Sequence, residues 1–144
     1  MHLNRYAQRY GEAAIAGSDF VVQDDFIYLI NLKAFGKITK DELIEKNIHN
    51  QPDGLAVITR LQINGWIESA DEISNTSDLI QISKKGTIAL EKQMNKIRKA
   101  TSMVAGNLSH QERIELIKIL TKLELHHQSF FNKCDISDLI KMIK

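Results

Sequence analysis

The stretch from Asn50 to Gly65, NQPDGLAVITRLQING, gathers side chains that can hydrogen-bond to the edges of bases. The Gln51 amide can pair with adenine, and the Asp53 carboxylate can accept from cytosine N4. Asn50 stands at the head of the stretch as a helix cap, and Gly54 would let the backbone come close to a duplex. Arg60 can hold a phosphate, or it can pair with Glu68 or Asp71 as a structural bridge. Lys40 is one of several cations, with Lys33, Lys37, Lys46, Lys84 and Lys85, that can face a phosphate backbone or stay solvated on the surface. Further on, Asn75, Thr76 and Ser77 can donate hydrogen bonds to phosphate but bring no charge. Over residues 50–83 Arg60 is the only cation, against Asp53, Glu68, Asp71, Glu72 and Asp78. Counterion release, the main source of affinity for DNA, has little to draw on in that segment.

Other chemistries have weaker support. Tyr6, Arg9, Tyr10, Tyr28 and Trp66 combine aromatic rings with one cation, a set that suits a small aromatic anion; core packing accounts for the Tyr and Trp positions as well. His126, His127 and Cys134 are metal-ligand types, but adjacent histidines point to different sides of a helix, and His2, His49 and His110 are scattered. Cys134 next to Lys133 raises a redox role, which needs a thiolate stabilised by its neighbours. There is no Gly-rich phosphate loop, nucleophile motif or metalloprotease spacing, so neither an enzyme nor a cofactor is expected.

The chain of 144 residues is 43% hydrophobic and 26% charged, enough to bury a core, and its net charge of +1 gives no global attraction to nucleic acid or membrane. A lone cysteine excludes an intrachain disulfide and fits a reducing compartment. The N-terminus lacks the apolar core of a signal peptide, and no stretch is long and apolar enough to span a bilayer. A cytoplasmic protein is the expectation.

The elements that must position these side chains are mainly helical. Leu3, Tyr6, Ala7, Tyr10, Ala13 and Ala14 predict a helix from Leu3 to Ala16. DDFIYLINLKAFG is apolar nearly all round, the mark of a buried central helix. Thr39 and Glu42 form a capping box at the start of TKDELIEKN. Pro52 is tolerated in the first turn of the next helix. There Leu55, Ile58 and Leu61 are expected inward, and Asp53, Val57 and Arg60 outward. WIES and DLIQIS are strand candidates around a polar loop. Ser83 caps a long helix whose Leu90, Met94, Ile97, Thr101 and Val104 have the spacing of a helix–helix seam. Ser109 and Glu112 form a second capping box, and the helix after it carries Leu116, Ile117, Leu120 and Leu123 to about Phe131. A short amphipathic tail follows. The order predicts a mainly α fold: a winged helix–turn–helix lobe with a small β-hairpin wing, plus long N- and C-terminal dimerisation helices. Residues 1–144 form one domain in this reading, with the lobe over about 20–86, dimerisation helices over about 3–16 and 84–131, and a tail over 132–144. The long helices hold more apolar surface than the lobe can cover, so a homodimer is expected.

On DDFIYLINLKAFGKITKDELIEKN, TRLQINGWIES, LIQISKKGTIALE and NLSHQERIELIKILTKLE, in that order, the sequence resembles the MarR family of bacterial transcriptional regulators over nearly its whole length. The resemblance implies a homodimer built from the first and last two helices, a recognition helix in the major groove, a wing in the minor groove, and in many members a small aromatic anion as effector. Members usually carry Asp-x-Arg in the wing and often a base near the position of Ala56; this chain has neither. Two readings follow. One is a homodimeric regulator binding double-stranded DNA sequence-specifically, a repressor released by a small molecule. The other is a winged-helix dimer impaired in DNA binding that serves as a protein-interaction module.

Overall fold

The computed structural model describes residues 2–70, 78–131 and 136–143. They fall into two compact units, Met1–Val104 and Ala105–Lys144. No helix among the described residues is long and apolar enough to cross a membrane.

The first unit contains α1 (His2–Ile15), α2 (Gln23–Phe35), β1 (Ile38–Thr39), α3 (Lys40–Lys46), α4 (Gln51–Ile63), β2 (Ile67–Ser69), β3 (Leu79–Ile82) and α5 (Lys84–Ala105). Helix α2 is central, as its pattern predicts: Tyr28, Leu29 and Leu32 are fully buried. Around it pack Leu43 and Ile44 of α3, Ile58 and Leu61 of α4, and Leu90 of α5. Phe20 closes the core edge-on against Trp66, with ring centroids 5.0 Å apart. The three strands form an antiparallel sheet in the order β1-β3-β2, with Ile38 opposite Ile80 and Ile67 opposite Ile82. The two residues of β1 carry no period of their own and are strand only through β3, so the sequence pattern misses them.

The helix starts follow local rules. Thr39 Oγ1 accepts from Glu42 N–H at 3.2 Å while the Glu42 carboxylate accepts from Thr39 N–H at 3.1 Å. At α5, Ser83 Oγ accepts from Gly86 N–H at 2.9 Å and donates to the carbonyl of Gly65 at 2.7 Å, tying the start of α5 to the end of α4. A side chain on Gly86 would run into the carbonyl of Trp66, so glycine is what lets α5 cross there.

One expectation about faces needs correction. In α4 the buried face is Gly54, Val57, Ile58 and Leu61, while Leu55 is 44% exposed. The steps 54, 57, 58 and 61 are one helical stripe, and the small Gly54 lets it seat on α3, which turns Leu55 outward and Val57 inward. In α5, Leu90 and Ile97 are buried, Met94 is packed on the core, and Thr101, exposed in the single chain, donates its hydroxyl to the carbonyl of Ile97.

The second unit contains α6 (His110–Phe131) and α7 (Ile136–Ile143). The Ser109–Glu112 capping box forms as expected, the carboxylate accepting from Ser109 N–H at 2.7 Å. Leu116, Ile117, Leu120 and Leu123 are exposed on α6.

Candidate nucleic-acid interface

Helices α3 and α4 form the helix–turn–helix. Leu43 and Ile44 are the buried residues of the first helix and Gly54, Val57, Ile58 and Leu61 those of the second, and at Gly54 an added Cβ would come within 2.5 Å of Ile44 Cγ1. Gly54 therefore faces α3. It does not bring the backbone near a duplex, which corrects the expectation for this residue.

At the N-terminus of α4, Asn50 Oδ1 accepts from Asp53 N–H at 2.9 Å, and Asn50 Nδ2 donates to Asp53 Oδ2 at 2.7 Å. Both residues act as the cap, and the carboxylate sits where the helix dipole favours it. Gln51 is exposed and makes a long contact to Asp41 at 3.3 Å. The outward surface of α4 consists of Gln51, Pro52, Asp53, Leu55, Ala56, Thr59, Gln62 and Ile63, all exposed, and Asp53 is its only charged side chain.

Arg60 turns the other way. Its Nε and Nη2 each lie 2.7 Å from Oδ1 of Asp25, a carboxylate with no solvent exposure. The second oxygen of Asp25 accepts from the backbone N–H groups of Val21 (2.8 Å) and Val22 (3.2 Å). Arg60 is thus a structural bridge, but its partner is Asp25 of α2; neither a phosphate nor Glu68 takes that place. Asp71 lies outside the described residues. Nothing in the spacing links positions 25 and 60; the first turn of α2 holds both Asp24 and Asp25, and the pattern does not say which is buried.

The lysines near the helix–turn–helix are partly engaged. Lys33 pairs with Glu91 at 3.0 Å, Lys37 donates to the carbonyl of Ala70 at 3.2 Å, and Lys46 lies 4.4 Å above the Phe35 ring. Lys40 is half-buried at the first position of α3. Asn75, Thr76 and Ser77, the proposed wing contacts, lie outside the described residues.

A second polar cluster joins α2 to the turn before α4. The Tyr28 hydroxyl and His49 Nδ1 are 2.9 Å apart, the two rings stack at 5.7 Å, and His49 Nε2 lies 3.9 Å from Asp24. Burial, with Asp24 and Asp53 adding to it, pushes the Tyr28 phenol up to about 12. Tyr28 and Trp66 are core residues here, whereas Tyr6 and Arg9 are exposed on α1 and Tyr10 is half-buried. The five residues do not converge on one pocket. A cavity of about 750 Å³ lies between α1 and α2 instead, lined by residues such as Gln8, Glu12, Ile15, Phe20, Gln23 and Asp24. Its charged groups are carboxylates. His126 and His127 are exposed on α6 with ring centroids 5.3 Å apart, and among the described residues no three His, Cys, Asp or Glu side chains form a metal-binding group; Cys134 lies outside them.

A helix–turn–helix followed by an antiparallel hairpin and a long helix is a winged helix–turn–helix. The comparisons define the class further: the fold is that of MarR-like transcriptional regulators. BpsR from Bordetella bronchiseptica, whose DNA binding is regulated by 6-hydroxynicotinic acid, is 18% identical, with a TM-score of 0.73 over 85% of this chain and 88% of its own. A mutant MarR from Escherichia coli complexed with operator DNA is 18% identical, with a TM-score of 0.72 over 85% and 88%. A probable transcriptional regulator from Pseudomonas aeruginosa is 25% identical, with a TM-score of 0.68 over 85% and 93%. No family model and no curated protein matches the chain by sequence.

Proposed function

We propose that the protein is a homodimeric transcriptional regulator that binds double-stranded DNA sequence-specifically, acting as a repressor released by a small molecule. One observation carries this reading: α4 is seated on α3 through Gly54, with its opposite surface exposed, in a fold that a MarR bound to operator DNA shares. Gln51 is the polar side chain offered first to base edges, since the N-terminal residues of a recognition helix meet them. Lys40 and the polar wing residues Asn75, Thr76 and Ser77 serve the phosphates. The exposed apolar residues of α6 support the dimer. The cavity beside α1 supports the small-molecule input, and its carboxylates favour a neutral or cationic aromatic over an anion.

A second reading is favoured by one specific observation. Arg60 is sequestered by Asp25, so α4 offers no cation to a phosphate, as expected of a winged-helix dimer that contacts a protein instead. Selection from a pool of random duplexes at low and moderate salt separates the two. A regulator yields an enriched, dyad-symmetric motif; the interaction module yields none at low salt.

A further inference from the structure

The outward face of α4 has an unusual chemistry for a DNA-reading helix. Its midline runs through Pro52, Ala56, Thr59 and Ile63, with Gln51, Leu55 and Gln62 along one shoulder, and all of them are exposed. Leu55 is 44% and Ile63 81% exposed. Guanine is most often read by arginine or lysine on O6 and N7. The only cation of α4 is Arg60, and it is held by buried Asp25. On the other shoulder Asp53 is exposed, but its Oδ2 already accepts from Asn50 Nδ2 at 2.7 Å as part of the helix cap. Beside it, two ways of reading a base remain on this face. One is the glutamine amide, which pairs with adenine; the other is methyl and methylene carbon, which packs against the C5 methyl of thymine. Both lead to A·T pairs. A protein partner fits the face less well, because the anchors of protein interfaces are Trp, Tyr and Arg, and none stands here. Pro52, Ala56 and Thr59 are also short, which lets the helix axis sink toward the floor of a groove.

Resting on the DNA-binding reading above, we infer that α4 selects its operator by packing Leu55, Ala56 and the Thr59 methyl group against thymine C5 methyls, so that the half-site is recognised through methyl contacts in an A·T-rich sequence and not through a cation on guanine. Each such contact buries about one carbon, so removing one thymine methyl should weaken binding about fourfold.

The experiment begins with the full-length protein and the duplex enriched from a random pool. Each thymine of the half-site is then replaced by uracil, which keeps every hydrogen bond and deletes only the methyl. The expected result is a half-site containing thymines at which uracil weakens binding about fourfold each. Thr59→Ser, which keeps the hydroxyl and deletes the protein methyl, should abolish the uracil effect at one of those positions and leave the others. An enriched motif that binds equally well with uracil throughout, or one made of G·C pairs, overturns the methyl-reading inference and leaves the DNA-binding reading standing. No enriched motif at low salt overturns both.

Discussion

Arg60 is bound to Asp25 through two nitrogens, each 2.7 Å from the same carboxylate oxygen, and the carboxylate is fully buried. The pair joins the last turn of α4 to the first turn of α2. The other Asp25 oxygen holds the backbone N–H groups of Val21 and Val22, so one aspartate fixes the entry of α2 and the angle of α4 together. Removing one member of a buried pair leaves the other uncompensated, at a cost of about 3–5 kcal/mol. Asp25→Ala and Arg60→Ala should each lose stability on that scale in chemical denaturation. Asp25→Ala should lose more, since it also strands two backbone donors. In DNA binding, Arg60→Ala should leave the slope of log affinity against log salt unchanged. A slope reduced by about 1 would mean that Arg60 reaches a phosphate after all.

Gly54 and Gly86 set two close approaches of different hardness. A Cβ on Gly54 would meet the side chain of Ile44, which can shift; a Cβ on Gly86 would meet the backbone carbonyl of Trp66, which is held by the N–H of Ser83 at 2.9 Å. Gly54→Ala should therefore cost about 1–3 kcal/mol, the usual range for overpacking. Ile44→Ala, which removes all three Ile44 atoms that the added Cβ would meet, should relieve that clash, so the double variant should lose less than the sum of the two single changes. Gly86→Ala should cost more than Gly54→Ala, and no single side-chain trimming should rescue it. Denaturation midpoints of these variants check the order.

Legibility in the sequence tracks how local each cause is. The Thr39–Glu42 and Ser109–Glu112 boxes, the Asn50 cap and the Ser83 start of α5 depend on residues three apart, and all form as read. The winged helix–turn–helix order follows from those stops and starts. The facing of α4 was harder, because Leu55 and Val57 are both apolar and lie on different sides of the helix; only the seat that Gly54 makes against Ile44 decides between them. The partner of Arg60 was out of reach, being 35 residues away in a helix whose first turn holds two aspartates, with nothing in the pattern to say which of them is buried. The Tyr28–His49 contact was missed for the same reason, at a separation of 21.

Stability should fall at both ends of the pH range, through different groups. The Thr39 backbone N–H, then its hydroxyl, holds the Glu42 carboxyl below its ordinary value of 4.5; the Ser109 hydroxyl, then its backbone N–H, does the same for Glu112. For a lowered carboxyl, the stabilisation is complete above 4.5 and is lost as pH falls through the folded value. Tyr28 works in the opposite sense. Its phenol is raised from 10.0 to about 12, so the native state stays neutral while the unfolded chain ionises, and stability is lost as pH rises from 10 toward 12. Thermal melts across pH should show both limbs. Glu42→Gln with Glu112→Gln should flatten the acid limb, and Tyr28→Phe the alkaline one. Tyr28→Phe should also cost about 1 kcal/mol at neutral pH, because it gives up the hydrogen bond to His49. A phenolate absorbance step near pH 12 that vanishes in Tyr28→Phe would assign the titration.

Helix α6 is where the dimer reading is most exposed to test. Leu116, Ile117, Leu120 and Leu123 are 37%, 63%, 53% and 49% exposed on one helix. Scattered surface leucines are ordinary, but four within eight positions of one helix form a contiguous apolar strip, and such strips mark interaction sites. Burying two of these side chains in a dimer would contribute about 3 kcal/mol per subunit or more. Ile117→Glu with Leu120→Glu should therefore weaken self-association at least about a hundredfold in sedimentation at graded concentration. Helix content of the double variant should stay near that of the parent, since glutamate is a good helix former and both positions face outward. A double variant that sediments as the parent does would place the dimer contact elsewhere. A parent that is monomeric at every concentration would remove the dimer, and with it the dyad symmetry expected of the operator.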